Sequence, residues 1–85
     1  MSYRVEIAPA AERQFKKIGH VEVVRIRAAI LKLCDNPRPA GCIMLSGPDK
    51  TWRIRVGDYC IIYEIYDDRL AVLVVRVGHR GDVYR

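Results

Sequence analysis

Residues 52–65 read WRIRVGDYCIIYEI, two runs of alternating apolar residues either side of Gly57-Asp58. A Gly-Asp pair between such runs marks a β-hairpin with a two-residue turn. A turn of that length pairs Val56 with Tyr59, Arg55 with Cys60 and Arg53 with Ile62. Residues directly opposite one another share a face of the sheet. Arg53, Arg55, Cys60, Ile62 and Glu64 therefore fall on one side. Trp52, Ile54, Val56, Tyr59, Ile61 and Tyr63 fall on the other, the side that packs against the rest of the domain. The hairpin predicts a two-faced sheet with a cationic outer face, and it sets a thiol among the guanidinium groups.

Working outward, Tyr3 to Ile7 alternates and reads as a strand. Pro9 suits the first turn of a helix, where its missing N–H costs nothing. Ala8, Ala11, Phe15 and Ile18 recur at helical spacing, and Gly19 stops that run. A second helix carries a stripe of Val23, Ile26, Ile30 and Leu33, broadened by Val24 and Leu31. Asn36-Pro37 ends it, because Pro37 disfavours helical geometry in the residue before it. The short Gly19-His20 link implies an antiparallel helical hairpin. Cys42 to Leu45 reads as a short strand segment. Strands over Thr51–Val56, Tyr59–Tyr66 and Leu70–Val77 follow, joined by Gly57-Asp58 and Asp67-Asp68-Arg69. The expected fold is α+β in the order β-α-α-β-β-β. A helical hairpin covers one face of an antiparallel meander, and the first strand pairs with one of its strands.

With 85 residues the chain makes a single domain, 1–85, whose core must be economical. Hydrophobic residues make up 51% of it, too many for a disordered chain. No apolar run reaches the ~20 residues that span a bilayer, and the start lacks the apolar stretch of a signal peptide. No membrane association and a cytoplasmic location are the expectation. Fifteen basic against ten acidic residues give a net charge of +5, which favours polyanionic or acidic partners. Cys34, Cys42 and Cys60 are odd in number and lack a C-x-x-C spacing, so reduced thiols and no metal site or cofactor are expected.

The outer face gathers further cations. His79, Arg80, Tyr84 and Arg85 follow directly on the last strand, and Lys50 and Arg38 sit in loops at the sheet ends. Two arginines on a strand also fit a merely solvated face, and a histidine in a Gly-His-Arg turn also fits a surface hydrogen-bonder. His20, between the helices, reads as structural. Arg76 interrupts an otherwise apolar strand. If Asp67-Asp68-Arg69 is a three-residue loop, Tyr66 pairs with Leu70 and Arg76 stands opposite Cys60 on the outer face. A two-residue turn would send it to the helix side.

The strings LSGPDKTWRIRVGDYCIIYEI and VVRVGHRGDVY, after a helical hairpin that ends in NPRP, resemble the RelE branch of the RelE/ParE toxins. The resemblance runs from Tyr3 to Tyr84. It implies a toxin that cleaves mRNA, usually on the ribosome, and a cognate antitoxin that forms a hetero-oligomer with it and blocks its basic face. By position it puts the catalytic cations at Arg53, Arg55 and Arg80 and the tyrosine at Tyr84. Metal-free RNA cleavage needs a base for the 2′-hydroxyl, a proton for the leaving 5′-oxygen and cations for the phosphoryl charge. Arginine is always charged and cannot be the base. His79 is therefore the expected proton-transfer group, with Glu64 a weaker rival, while Lys50, Arg76, Arg85 and Arg38 are expected to hold RNA. Cys60 stands where family members commonly carry an arginine. Two other readings stay open: the ParE-like branch, which poisons gyrase without hydrolysis, and a catalytically weak toxin-fold binding protein.

Overall fold

The computed structural model describes residues 2–45 and 51–81. Its elements are strand β1 (Arg4–Ile7), helices α1 (Pro9–Phe15) and α2 (His20–Lys32), strands β2 (Ile43–Met44), β3 (Thr51–Val56) and β4 (Tyr59–Tyr66), a 3-10 turn (Asp67–Arg69) and strand β5 (Ala71–His79). One mixed sheet runs β1-β5-β4-β3-β2. The meander β3-β4-β5 is antiparallel, as expected, and β1 joins it parallel to β5.

The hairpin register is the one the turn dictates: Val56 faces Tyr59, Arg55 faces Cys60 and Arg53 faces Ile62. Gly57, at φ +61°, supplies the positive φ that the first turn position needs. Ile54, Ile61, Tyr63, Ile65, Val72, Val74 and Val77 meet Ala11, Phe15, Ile26, Ile30 and Leu33 from the helices in one core. Trp52, Val56 and Tyr59 pack at its margin.

Both helices end sooner than their apolar spacing predicts. Lys16, Lys17 and Ile18 donate to carbonyls three residues back, as do Leu33, Cys34 and Asp35. Such bonds tighten a last turn into 3-10 geometry and satisfy carbonyls that would otherwise be orphaned. The stripe on α2 is also narrower than expected. Val24 and Leu31 are 54% and 66% exposed. At about 100° per residue they lie roughly 160° and 140° around the helix from Ile26, beyond reach of a narrow sheet.

The greater departure is in β5. The connection from β4 spans four residues, Asp67 to Leu70, and closes with Leu70 in the left-handed region at φ +49°. Tyr66 consequently faces Ala71. That register would carry Arg76 to the helix side. Between Val74, which faces Tyr63, and Arg76, which faces Ile62, the ladder slips by one residue. Val75 is the extra residue of a β-bulge, and the slip exchanges the faces of all that follows. Arg76 thus reaches the outer face as expected, but opposite Ile62, and Gly78 faces Cys60. Beyond β1, the side chain of Gln14 from α1 takes over the exposed edge of β5. Its Oε1 accepts the Val77 N–H at 2.6 Å.

The loop after α2 is tied to the helix-covered side. The Tyr63 hydroxyl, buried and so held protonated, donates to the Pro37 carbonyl at 2.7 Å. Arg38 stacks over the Trp52 ring at 5.1 Å and bonds both carboxylate oxygens of Asp67, at 2.8 and 3.3 Å. The Tyr3 hydroxyl donates to the same carboxylate at 2.6 Å. The Arg38 guanidinium and then the Tyr3 hydroxyl hold the Asp67 carboxyl below the usual range.

Two outcomes follow from these ties. Tyr63→Phe strands a buried carbonyl and should cost about 1–3 kcal/mol, read as a fall in Tm of about 4–8 °C per kcal/mol for a domain of this size. A carboxyl with a lowered folded-state pKa adds stability above its unfolded value, about 3.9, and loses it as pH falls through the folded value. Arg38→Ala should therefore lower Tm at pH 7, with the deficit shrinking below about pH 4. A deficit that stays constant across thermal melts from pH 7 to pH 2.5 would contradict this account of Asp67.

Candidate functional site

Strand alternation sorts the sheet into a face under the helices and an outer face. On the outer face β4 contributes Cys60 and Ile62, β3 contributes Arg53 and Arg55, and β5 contributes Arg76 and Gly78. Read across the strands, Arg76, Ile62, Arg53 and Ile43 make one row, and Gly78, Cys60 and Arg55 make the next. The Arg80 N–H donates to the Asp58 carbonyl at 2.8 Å, which continues the ladder one step and puts Arg80 on the same side as Arg76. Arginines thus line both flanks of β4, two strand spacings or about 10 Å apart at the backbone. Arg55, Arg76 and Arg80 are exposed and Arg53 is half-buried.

The floor between them is apolar. Cys60 is fully buried although it lies outside the core cluster beneath the helices. On this face the middle of β4 presents a small, fully covered thiol opposite a glycine, between the flanking arginines. Cys60 is a free thiol, as are Cys34 and Cys42. Toward the other end of the face the charge reverses. Glu64 lies between Thr51 and Leu73, and Glu6 follows on β1. The Tyr66 hydroxyl donates to Glu64 Oε1 at 2.5 Å, and that bond raises the phenol's pKa.

Two expected members of the site lie elsewhere. His79 faces Tyr59, on the helix side of the sheet, with the rings edge to face at 5.7 Å. The bulge that turns Arg76 and Arg80 outward turns His79 inward. There it borders a cleft of about 250 Å³ with Glu22, Arg25 and Asp58, and its Nδ1 accepts the Gly81 N–H at 3.3 Å. Arg38 is engaged by Asp67 and Trp52 on the helix side and is not part of the arginine face. Lys50, Tyr84 and Arg85 lie outside the described residues. Sequence reasoning did not anticipate Gly78 or Ile43 at the site. Gly78 depends on the bulge, and the two-residue β2 is too short for its periodicity to assign a face.

Among the described residues no three His, Cys, Asp or Glu side chains are grouped so as to hold a metal ion, and no helix is long and apolar enough to cross a membrane. What the site offers is fixed positive charge on both sides of an apolar stretch of β4, with a carboxylate at one end.

The family described as the ParE toxin of type II toxin-antitoxin systems, parDE, matches residues 5–84. The toxin RelG of Mycobacterium tuberculosis is 31% identical and aligns with 100% of this chain and 99% of its own. The mRNA interferase toxin RelE of Escherichia coli is 23% identical over 99% of this chain and 92% of its own. Among solved structures, the toxin chain of the archaeal RelE-RelB complex from Pyrococcus horikoshii superposes with a TM-score of 0.85. It is 24% identical and covers 98% of this chain and 100% of that one. A pattern match over nearly the whole length, joined by a full-length relative above 30% identity, settles the matter of descent: the chain belongs to the ParE toxin family of type II toxin–antitoxin systems, within the RelE/ParE superfamily.

Proposed function

We propose that this toxin of the RelE type inhibits translation by cutting mRNA at the arginine-lined face, without a metal ion. The observation that carries the reading is the pair of arginine flanks, Arg53 and Arg55 on β3 and Arg80 beyond β5, either side of β4. Guanidinium groups are suited to the doubly charged phosphoryl group of an in-line displacement, because they bind two oxygens at once and never lose their charge. The 2′-oxygen attacks the adjacent phosphorus, the bond to the 5′-oxygen breaks, and the products are a 2′,3′-cyclic phosphate and a 5′-hydroxyl. Arg53 and Arg55 hold the phosphate and offset the charge that grows on its free oxygens.

Proton transfer needs a different group. His79 is directed to the helix side, so the carboxylate on the same face of β4 as these arginines, Glu64, takes the role of accepting the 2′-hydroxyl proton. It sits one pleat repeat along β4 from Ile62, about 7 Å at the backbone. Tyr84, placed by family resemblance, is the partner for the leaving oxygen.

An antitoxin partner accords with the relatives solved as RelE-RelB complexes. An acidic, partly apolar segment of it would cover the arginines and the neighbouring Ile43, which is 48% exposed. The name of the matching family favours one other reading, a ParE-like protein that acts without hydrolysis. A supercoiling assay with gyrase, run beside an RNA cleavage assay, separates the two.

Arg53→Ala, Arg55→Ala and Arg80→Ala should each slow RNA cleavage about 10–150-fold in excess EDTA while the fold persists, the loss of one charge-assisted contact of about 1.5–3 kcal/mol. Glu64→Gln should slow it by about 10²–10⁴, and His79→Ala should leave it within a few-fold of the wild type. Cleavage that survives Glu64→Gln but fails in a folded His79→Ala variant would move proton transfer to the helix side.

A further inference from the structure

Strand β5 enters the sheet with Ala71 opposite Tyr66, and that register directs even-numbered residues after Ala71 to the helices. Arg76 would then point into the apolar layer beside Val72 and Val74, where a guanidinium is costly to bury. The slip at Val75 prevents this. It sets Arg76 opposite Ile62 and directly across that residue from Arg53, exposed on the outer face. The same slip leaves Gly78 opposite Cys60, so nothing on β5 rises between Arg76 and the place of Arg80. The second arginine flank is a product of one extra residue.

We propose that Arg76 is a phosphate-holding residue of the RNA site, and that the RNA strand runs along β4 between two arginine flanks rather than across the sheet. The inference rests on the RNA reading of the face. Two features of the site support it. The cations occur in pairs along the strand direction, Arg53 and Arg55 on one flank and Arg76 and Arg80 on the other. The floor between them, Ile62, Cys60 and Gly78, has small or apolar side chains throughout. The row that contains Glu64 and Glu6 closes the track at the β1 end, where a phosphate would meet carboxylates. A strand laid along β4 therefore enters over the hairpin turn and makes its phosphate contacts within the two arginine rows, with the reacting 2′-hydroxyl toward the Glu64 end. Contacts of this kind hold the backbone in place and carry no base preference.

The test is the affinity of a short single-stranded RNA with 2′-O-methyl sugars, which cannot be cut, measured by fluorescence anisotropy as salt is raised. Each phosphate contact contributes about 0.7 to the slope of log affinity against log salt for a single strand. Arg76→Ala should lower that slope by about 0.7 and weaken binding about 10-fold, equally for oligonucleotides of different sequence. Arg76→Lys should restore the slope. Arg13→Ala, which removes the same net charge from the exposed side of α1, should leave it unchanged. A wild-type slope that survives unaltered in a folded Arg76→Ala variant overturns the inference alone. A wild-type protein whose RNA affinity ignores salt overturns the RNA reading and this inference together.

Discussion

Strand β5 changes faces once, at Val75, and the site depends on that change. In a strand without a bulge the face of every residue, odd or even, is fixed by the turn that precedes it. Here the four-residue connection Asp67–Leu70 sets a register that packs Val72 and Val74 beneath the helices. The bulge then resets the alternation so that Val77 can occupy the core while Arg76 and Gly78 face outward. Packing and charge placement are both satisfied by one inserted residue, at the cost of a locally broken ladder. Gln14 repairs part of that cost on the other edge by accepting the Val77 N–H.

Much of this was legible in the sequence, and the boundary of legibility has a physical cause. The Gly57-Asp58 hairpin fixed its own register because a two-residue turn leaves no freedom, so the faces of Arg53, Arg55, Cys60 and Ile62 could be read directly. The run AVLVVRVGH of β5 is apolar on both sides, so period-two patterning cannot say which residue is paired with which. The outer position of Arg76 was expected only for a three-residue loop and opposite Cys60, whereas it is reached through the bulge and opposite Ile62. A three-residue loop and no bulge would give the same face as a four-residue connection with one. The side of the sheet that His79 occupies was hidden for the same reason, since adjacency in sequence to Arg80 says nothing about sharing a face with it. Arg38 was counted as a loop cation, but Asp67 and Trp52, brought close only by the fold, hold it on the helix side.

The thiol among the guanidinium groups also finds its place. Cys60 lies opposite Gly78 and is fully buried between the two arginine flanks. Where the family commonly carries an arginine on β4 itself, this chain carries its positive charge on the strands to either side.

The central claim is that RNA lies on the outer face along β4, between Arg53 and Arg55 on one flank and Arg76 and Arg80 on the other. Amide chemical-shift mapping by NMR during titration with an uncleavable single-stranded RNA tests it most directly. The account predicts perturbations concentrated at Arg53, Arg55, Cys60, Ile62, Arg76, Gly78 and Arg80, with Ile26, Ile30 and the rest of α2 undisturbed. Perturbations gathered instead around Glu22, Arg25 and His79, in the cleft on the helix side, would contradict it.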